Sequence, residues 1–259
     1  MLITAIKLSY SGFVTYKTCP LKYYYQRRYP LKGPVYADFK IGNFLHEYFY
    51  SLLKGKEPVR DAESVWEEIK EDYELFSGRE LRQDFASPDE LVDYYTSLEN
   101  KMIVWRDEQE YIKRLRDGMS NARILTAKME LHDFVTEEWI GAYMGEVNLY
   151  GRADILREGE IIDIKTGNEW QEDEIQMRFY GLIYYLREYR IPKVKLVYLL
   201  SGRVKNVPIN LRSLESLLAE VMDAGKGIRN QSFPRSLGEH CNLCPYRMVC
   251  DYQTLRKEK

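Results

Sequence analysis

Asp163 and Lys165 stand two residues apart in the run IIDIKTG, and Asp154 closes the run GRAD nine residues earlier. Two carboxylates are hard oxygen donors suited to Mg²⁺ or Mn²⁺. A cation held by them would activate water and offset charge developing on a phosphate, which is the chemistry of metal-assisted phosphodiester hydrolysis. A lysine beside that cation could orient or deprotonate the attacking water or stabilise pentavalent phosphorus, and nearby cations would lower its pKa. D-x-K is a short pattern, however, and charges on one face of a strand are ordinarily its solvated side. The elements around these residues therefore decide what the pattern is worth.

Gly145 to Arg157 reads as a strand. Side chains alternate along it, so Val147, Leu149, Ala153 and Ile155 face one way and Tyr150, Arg152 and Asp154 the other. Glu160 to Thr166 reads as the next strand, reached through a tight turn at Glu158-Gly159, with Ile161, Asp163 and Lys165 on one face and Ile162 and Ile164 opposite. If the two strands are neighbours, two carboxylates and a lysine converge. A helix is expected from about Glu172 to Tyr189, and it sets Gln176 and Tyr180 on one face as an i,i+4 pair.

The cysteines form a second constellation. Cys241, Cys244 and Cys250 supply three soft ligands within ten residues, and Cys19 is the fourth cysteine of the chain. That spacing suits zinc or an iron-sulfur cluster, and His240 could replace a thiolate in a zinc site. A four-thiolate site would clamp the N-terminal helix against the C-terminal tail. Clustered thiols without a secretory leader point to metal or redox chemistry in a reducing compartment, so a cytoplasmic protein is expected.

The remaining elements follow from hydrophobic period. Helices are expected from Ser9 to about Tyr25 and from about Phe39 to Lys54. Residues 55–124, rich in Glu, Lys and Arg, read as a helical insertion broken at Ser87-Pro88. A strand from Ala127 to Thr136 opens a meander, a hairpin of Val194 to Leu200 and Val204 to Ile209 turns at Ser201-Gly202, and a helix runs from about Leu211 to Ile228. The whole reads as one domain of 259 residues, with 1–30 and 236–259 together forming the cysteine region. No apolar run of about 18 residues is long enough to span a bilayer. The net charge of −2 means that affinity for nucleic acid must come from a local groove.

GRAD, then DIKTG, then the Q-x-x-x-Y of Gln176 and Tyr180 resemble successive motifs of RecB-like PD-(D/E)XK nucleases. The resemblance implies an α/β fold with a restriction-endonuclease-like core, a mixed sheet flanked by helices. It implies Asp154 and Asp163 as metal ligands and Lys165 as the catalytic lysine, with Gln176 and Tyr180 positioning DNA or the lysine. It adds His46 of GNFLHEYFY as an imidazole ligand, Glu130 of KMELHDF as a supporting acid at the edge of the site, and Arg152 as a phosphate contact. An early cysteine in TYKTCPLKYYY with a distant C-x-x-C-P-Y-x-x-x-C is similar to the arrangement in CRISPR-associated exonucleases and AddB-type nuclease domains. That likeness implies a 4Fe-4S cluster on Cys19, Cys241, Cys244 and Cys250.

The function implied is metal-dependent exonucleolytic trimming of single-stranded DNA ends in CRISPR spacer acquisition, with integrase proteins as partners. A recombination or repair nuclease with the same core is the alternative enzyme. A non-catalytic iron-sulfur adaptor that only binds DNA is the alternative of another class. Tyr24, Arg27 and Arg28 lie in a stretch that mixes bases with aromatics, a combination suited to phosphate contacts and base stacking.

Overall fold

Apolar alternation in the second half of the chain builds a mixed sheet, and helices from both halves cover its two faces. The computed structural model describes residues 5–250 apart from 57, 72, 77–80, 82, 83, 100 and 130. The elements run β1 (Ile6–Ser9), α1 (Tyr10–Thr18), α2 (Pro20–Arg28), β2 (Val35–Tyr36), α3 (Ala37–Leu53), α4 (Ala62–Lys70), β3 (Glu74–Phe76), α5 (Pro88–Leu98), β4 (Met102–Val104) and α6 (Glu108–Lys128). They continue with β5 (Phe134–Met144), β6 (Val147–Arg157), β7 (Glu160–Lys165), α7 (Gln171–Glu188), β8 (Lys193–Tyr198), β9 (Arg203–Asn206) and α8 (Leu211–Arg229), followed by 3-10 turns at Glu239–Leu243 and Pro245–Met248.

The main sheet has the order β1-β6-β7-β8-β9, with β5 paired to β6. β5, β6 and β7 are successive antiparallel neighbours, the expected meander, whereas β1 runs parallel to β6 and β7 parallel to β8. One core layer joins Leu8, Val147, Leu149 and Leu196 to Phe13, Met177, Phe179 and Leu214 of the helices. The opposite layer joins Ile155, Ile162, Ile164 and Val197 to Ile41, Leu45 and Phe49 of α3 and Leu115 of α6. This is the mixed sheet flanked by helices that the motifs implied.

Several boundaries differ from the sequence reading. The single helix expected from Ser9 to Tyr25 is two: Cys19 is extended (φ −156°, ψ 104°), because Pro20 opens α2 and biases the residue before it away from helical backbone. A short strand precedes them. The strand expected from Ala127 to Thr136 is instead the end of α6 followed by β5, which starts at Phe134. The buried stripe of α6 ends with Ala122 and Leu125, and the helix closes one turn later, with the Met129 N–H bonded to the Leu125 and Thr126 carbonyls, inside the span where a strand was expected. Within 55–124, helices α4, α5 and most of α6 are joined by β3 and β4, which with β2 form a three-stranded parallel sheet. Its strands are two or three residues long, too short to leave a period in the sequence.

Candidate active site

β6 shares one edge between two partners. β1 pairs with it at Val147–Tyr150 and β7 at Ile155–Arg157, so Gly151 to Asp154 have no ladder partner on that edge. The carboxyl ends of β1 and β7 both point into this gap before leading to α1 and to the turn before α7. Asp154 occupies the gap directly. Its Oδ2 accepts a hydrogen bond from the backbone N–H of Ile164 at 2.7 Å, replacing the ladder bond that a paired strand would supply.

Opposite Asp154 on β5 stands Glu137, bracketed by the pairs Thr136–Ile155 and Glu138–Ala153. Glu137 has φ +60°, a left-handed conformation that non-glycine residues seldom adopt outside turns and functional sites. The facing of side chains also shifts here: Ala153 lies in one core layer and Ile155 in the other. The expected common face for Val147, Leu149, Ala153 and Ile155 is therefore corrected, because the pleat is interrupted at the carboxylate between them. GRAD needs its glycine for packing. A Cβ on Gly151 would lie 2.6 Å from the Tyr180 ring.

Helices on both sides of the sheet reach the gap. The core stripe of α3, Ile41, Leu45, Tyr48 and Phe49, leaves His46 and Tyr50 one turn apart at its border. His46 Nδ1 lies 3.8 Å from Asp154 Oδ2, and Tyr50 Oη lies 3.4 Å from His46 Nδ1 and donates to Glu137 Oε1 at 3.2 Å. From the other side, Lys165 Nζ donates to Gln176 Oε1 at 2.7 Å, and Gln176 Nε2 donates to Tyr180 Oη at 3.1 Å. Lys165 also lies 2.9 Å from Asp163 and 3.5 Å from Asp173. Asp173 is held by Tyr198 Oη and by the N–H of Trp170, where it caps α7.

The charges in this gap are poorly compensated. Burial, and then the Asp163 carboxylate, push the Asp154 carboxyl well above its ordinary range. Burial holds His46 below the usual imidazole value, so its lone pair is free at neutral pH. For Lys165 burial acts downward and is the largest single influence, but the carboxylates of Asp163, Asp173 and Asp154 together outweigh it and the ammonium is held above its ordinary pKa. The lowering expected from nearby cations is absent from this constellation of protein groups alone. Asp163 Oδ2 is buried with the Lys165 ammonium at 2.9 Å as its ion-pair partner and no hydrogen bond of regular geometry. One ligand atom each from His46, Glu137 and Asp154 lie within 4.8 Å of one another. The His46, Glu137 and Asp154 atoms, with the Asp163 carboxylate nearby, would suit a hard divalent cation such as Mg²⁺ or Mn²⁺.

The expected residues thus meet, with exceptions. Glu130 lies outside the described residues. Glu137, which the sequence reading left just beyond its strand, is the acid beside His46 and Asp154, and only its place opposite GRAD in the meander could have found it. Arg152 pairs with Glu137 Oε2 at 2.8 Å. Asp173 was also missed, since a first-turn acid on α7 reads as a helix-dipole partner.

The four cysteines come together elsewhere. Cys19, Cys241, Cys244 and Cys250 line one cavity with Lys22, His240 and Tyr25. Chain ends are fastened around it by Tyr246 Oη donating to Tyr29 O at 2.7 Å, by Leu21 N–H donating to Pro234 O, and by stacking of Tyr25 on Tyr246. Burial, with Cys19 and Cys250 nearby, raises the Cys244 thiol pKa. Four soft donors thus border one cavity, although among the described residues their sulfurs are not drawn together as closely as the ligand atoms of His46, Glu137 and Asp154. Tyr24 packs against Phe233, while Arg27 and Arg28 are exposed and lie over the rings of Tyr23 and Tyr29.

The sequence profile of the PD-(D/E)XK nuclease superfamily matches residues 7–251. Among solved structures, a presumptive exonuclease from Eubacterium rectale is similar at 13% identity and TM-score 0.46, covering 94% of this chain and 89% of its own. The protein SSO0001 is similar at 18% identity and TM-score 0.33, covering 55% of this chain and 70% of its own. No curated protein sequence matches significantly.

Proposed function

The chain belongs to the PD-(D/E)XK nuclease superfamily, and from that premise we propose that it is a metal-dependent deoxyribonuclease that degrades single-stranded DNA from its ends. The observation that carries the reading is the gap between β1 and β7, where Asp154, Asp163, Lys165, His46 and Glu137 converge from both faces of one sheet.

In this reading His46, Asp154, Asp163 and Glu137 hold Mg²⁺ or Mn²⁺, which supplies Lewis acidity toward phosphate and water when bound. Asp154 is fixed by Ile164 N–H, and the Tyr50 hydroxyl steadies Glu137. Lys165, held by Gln176 beside Asp163, orients the attacking water and offsets charge on the phosphate oxygens. Tyr180 sets the angle of the Gln176 amide, making both positioning residues.

The cysteine cavity is assigned a 4Fe-4S cluster that clamps the two ends of the chain. The arrangement of Cys19 and the C-terminal triplet supports the CRISPR-associated type, with spacer acquisition as its setting and integrase proteins as partners. A recombination nuclease would present the same site residues. The test is an end-labelled single-stranded DNA assay with Mn²⁺ or EDTA, run beside iron and sulfide analysis of anaerobically purified protein. Cation-dependent shortening and about four iron and four sulfide per chain are expected. DNA binding without cleavage would overturn the nuclease reading in favour of an adaptor, and zinc without iron would overturn the cluster.

A further inference from the structure

Past Glu137 and Arg152, the β5–β6 ribbon runs on away from the gap, and its two faces differ. Ile140, Ala142, Val147 and Leu149 are buried in the core layer shared with α7 and α8. On the other face the cross-strand register places Trp139 beside Arg152 and Tyr143 beside Asn148, with Lys7 of β1 beside Asn148 from the other edge. Residues paired across strands project to the same side. Trp139 is 62% exposed and Tyr143 72%, too open for core residues. The Trp139 ring lies 6.1 Å from that of Tyr150, inclined by 32°.

The cations fit the same surface. Lys7 is exposed, Arg27 reaches the Lys7 backbone carbonyl at 3.5 Å from the β1 side while lying over the Tyr23 ring, and Arg152, paired with Glu137, closes the row at the gap. At the gap end of these rows stand the carboxylates Glu137, paired with Arg152, and Asp154, so the charge that is left along the open face is that of Lys7. Solvated aromatic rings in line with cations, continuous with a phosphodiester-cleaving site, match one chemistry: bases stack on the rings while the cations meet phosphates. A duplex buries its base faces and cannot use the rings. Trp139 and Tyr143 are four residues apart on one strand, about 14 Å, the rise of about four stacked nucleotides at about 3.4 Å each.

We propose that this open face of β5 and β6 is the track along which unpaired DNA lies as its end enters the gap. The proposal rests on the nuclease reading both for the choice of a nucleic-acid strand as occupant and for its direction of travel.

The test uses full-length Asp154→Asn protein in EDTA, so that DNA stays intact, and compares a fluorescein-labelled dT₁₂ strand with a blunt 12-base-pair duplex. Adding Trp139→Ala and Tyr143→Ala, with the melting temperature checked, should weaken dT₁₂ binding by about tenfold or more and duplex binding by less than about threefold. Trp139→Phe, which keeps a ring, should retain most of the affinity. Unchanged dT₁₂ affinity, or equal losses for strand and duplex, would overturn the track. So would sedimentation showing that these rings hold two copies of the chain together. If the strand-selective loss occurs while wild-type protein never cuts DNA with Mn²⁺, the track stands and the nuclease reading falls.

Discussion

Asp154 and Ile164 are joined by a side-chain-to-backbone hydrogen bond of 2.7 Å where the strand ladder between β6 and β7 stops. The carboxylate is thereby part of the sheet and part of the gap at once. Sheet geometry places it, and the missing ladder leaves its other lone pairs available.

Removing the Asp154 charge should therefore stabilise the metal-free protein. A carboxyl whose folded pKa is raised contributes stability below its unfolded pKa and loses it as pH rises through the folded value, so at neutral pH wild type bears the penalty. Asp154→Asn keeps an acceptor for Ile164 N–H and removes the charge. In EDTA at neutral pH its melting temperature should exceed that of wild type, by about 2 to 4 °C for each kcal/mol recovered. The gain should vanish below the unfolded carboxylate range, and Mn²⁺ should raise the melting temperature of wild type far more than that of the variant. A variant that melts lower in EDTA would contradict this assignment of strain.

Lys165 and Gln176 should separate into a catalytic and a positioning role. Lys165→Ala should lower kcat by about 10² to 10⁴ at saturating metal. Gln176→Ala, which frees the ammonium without removing it, should cost less, and Gln176→Glu should restore part of the loss by offering an acceptor in the same place. Equal losses for Lys165→Ala and Gln176→Ala would show that the amide itself is indispensable.

Glu137 should be read out through metal affinity. Its contacts to Tyr50 and Arg152 hold it beside His46 and Asp154. Glu137→Gln should raise the Mn²⁺ concentration for half-maximal cleavage by about 10- to 100-fold, in line with losses from disturbing a metal's surroundings, with kcat approached at high metal. An unchanged metal requirement would exclude Glu137 from the donor set.

The cysteine clamp makes a structural prediction. Cys19→Ser should reduce iron and sulfide in the purified protein and expose the segment after Asn230 to limited proteolysis, because the tail is fastened to α2 around that cavity. Full iron content and unchanged protease resistance would detach Cys19 from the site.

How much could be read from the sequence depended on the range of the interactions. Asp163, Lys165, Gln176 and Tyr180 were legible because alternation and helical period fix a face locally. The convergence of His46 with them needed α3 to cross the sheet, which the motif resemblance supplied and periodicity could not. Glu137 was lost for a physical reason: its left-handed backbone interrupts the alternation by which a strand position is recognised. The parallel pairing of β1 with β6 joins residues 141 apart, as in Ile6 with Val147, and no local pattern announces it. The break at Cys19, by contrast, was legible, since Pro20 in the sequence biases the residue before it away from helical backbone.

The most direct measurement is shortening of a labelled single-stranded oligonucleotide by wild type and by Lys165→Ala, each with Mn²⁺ and with EDTA. The account predicts progressive shortening by wild type with Mn²⁺ alone, and a residual rate in the variant lower by about 10² or more. Shortening that persists in EDTA, or at the wild-type rate in Lys165→Ala, would contradict it.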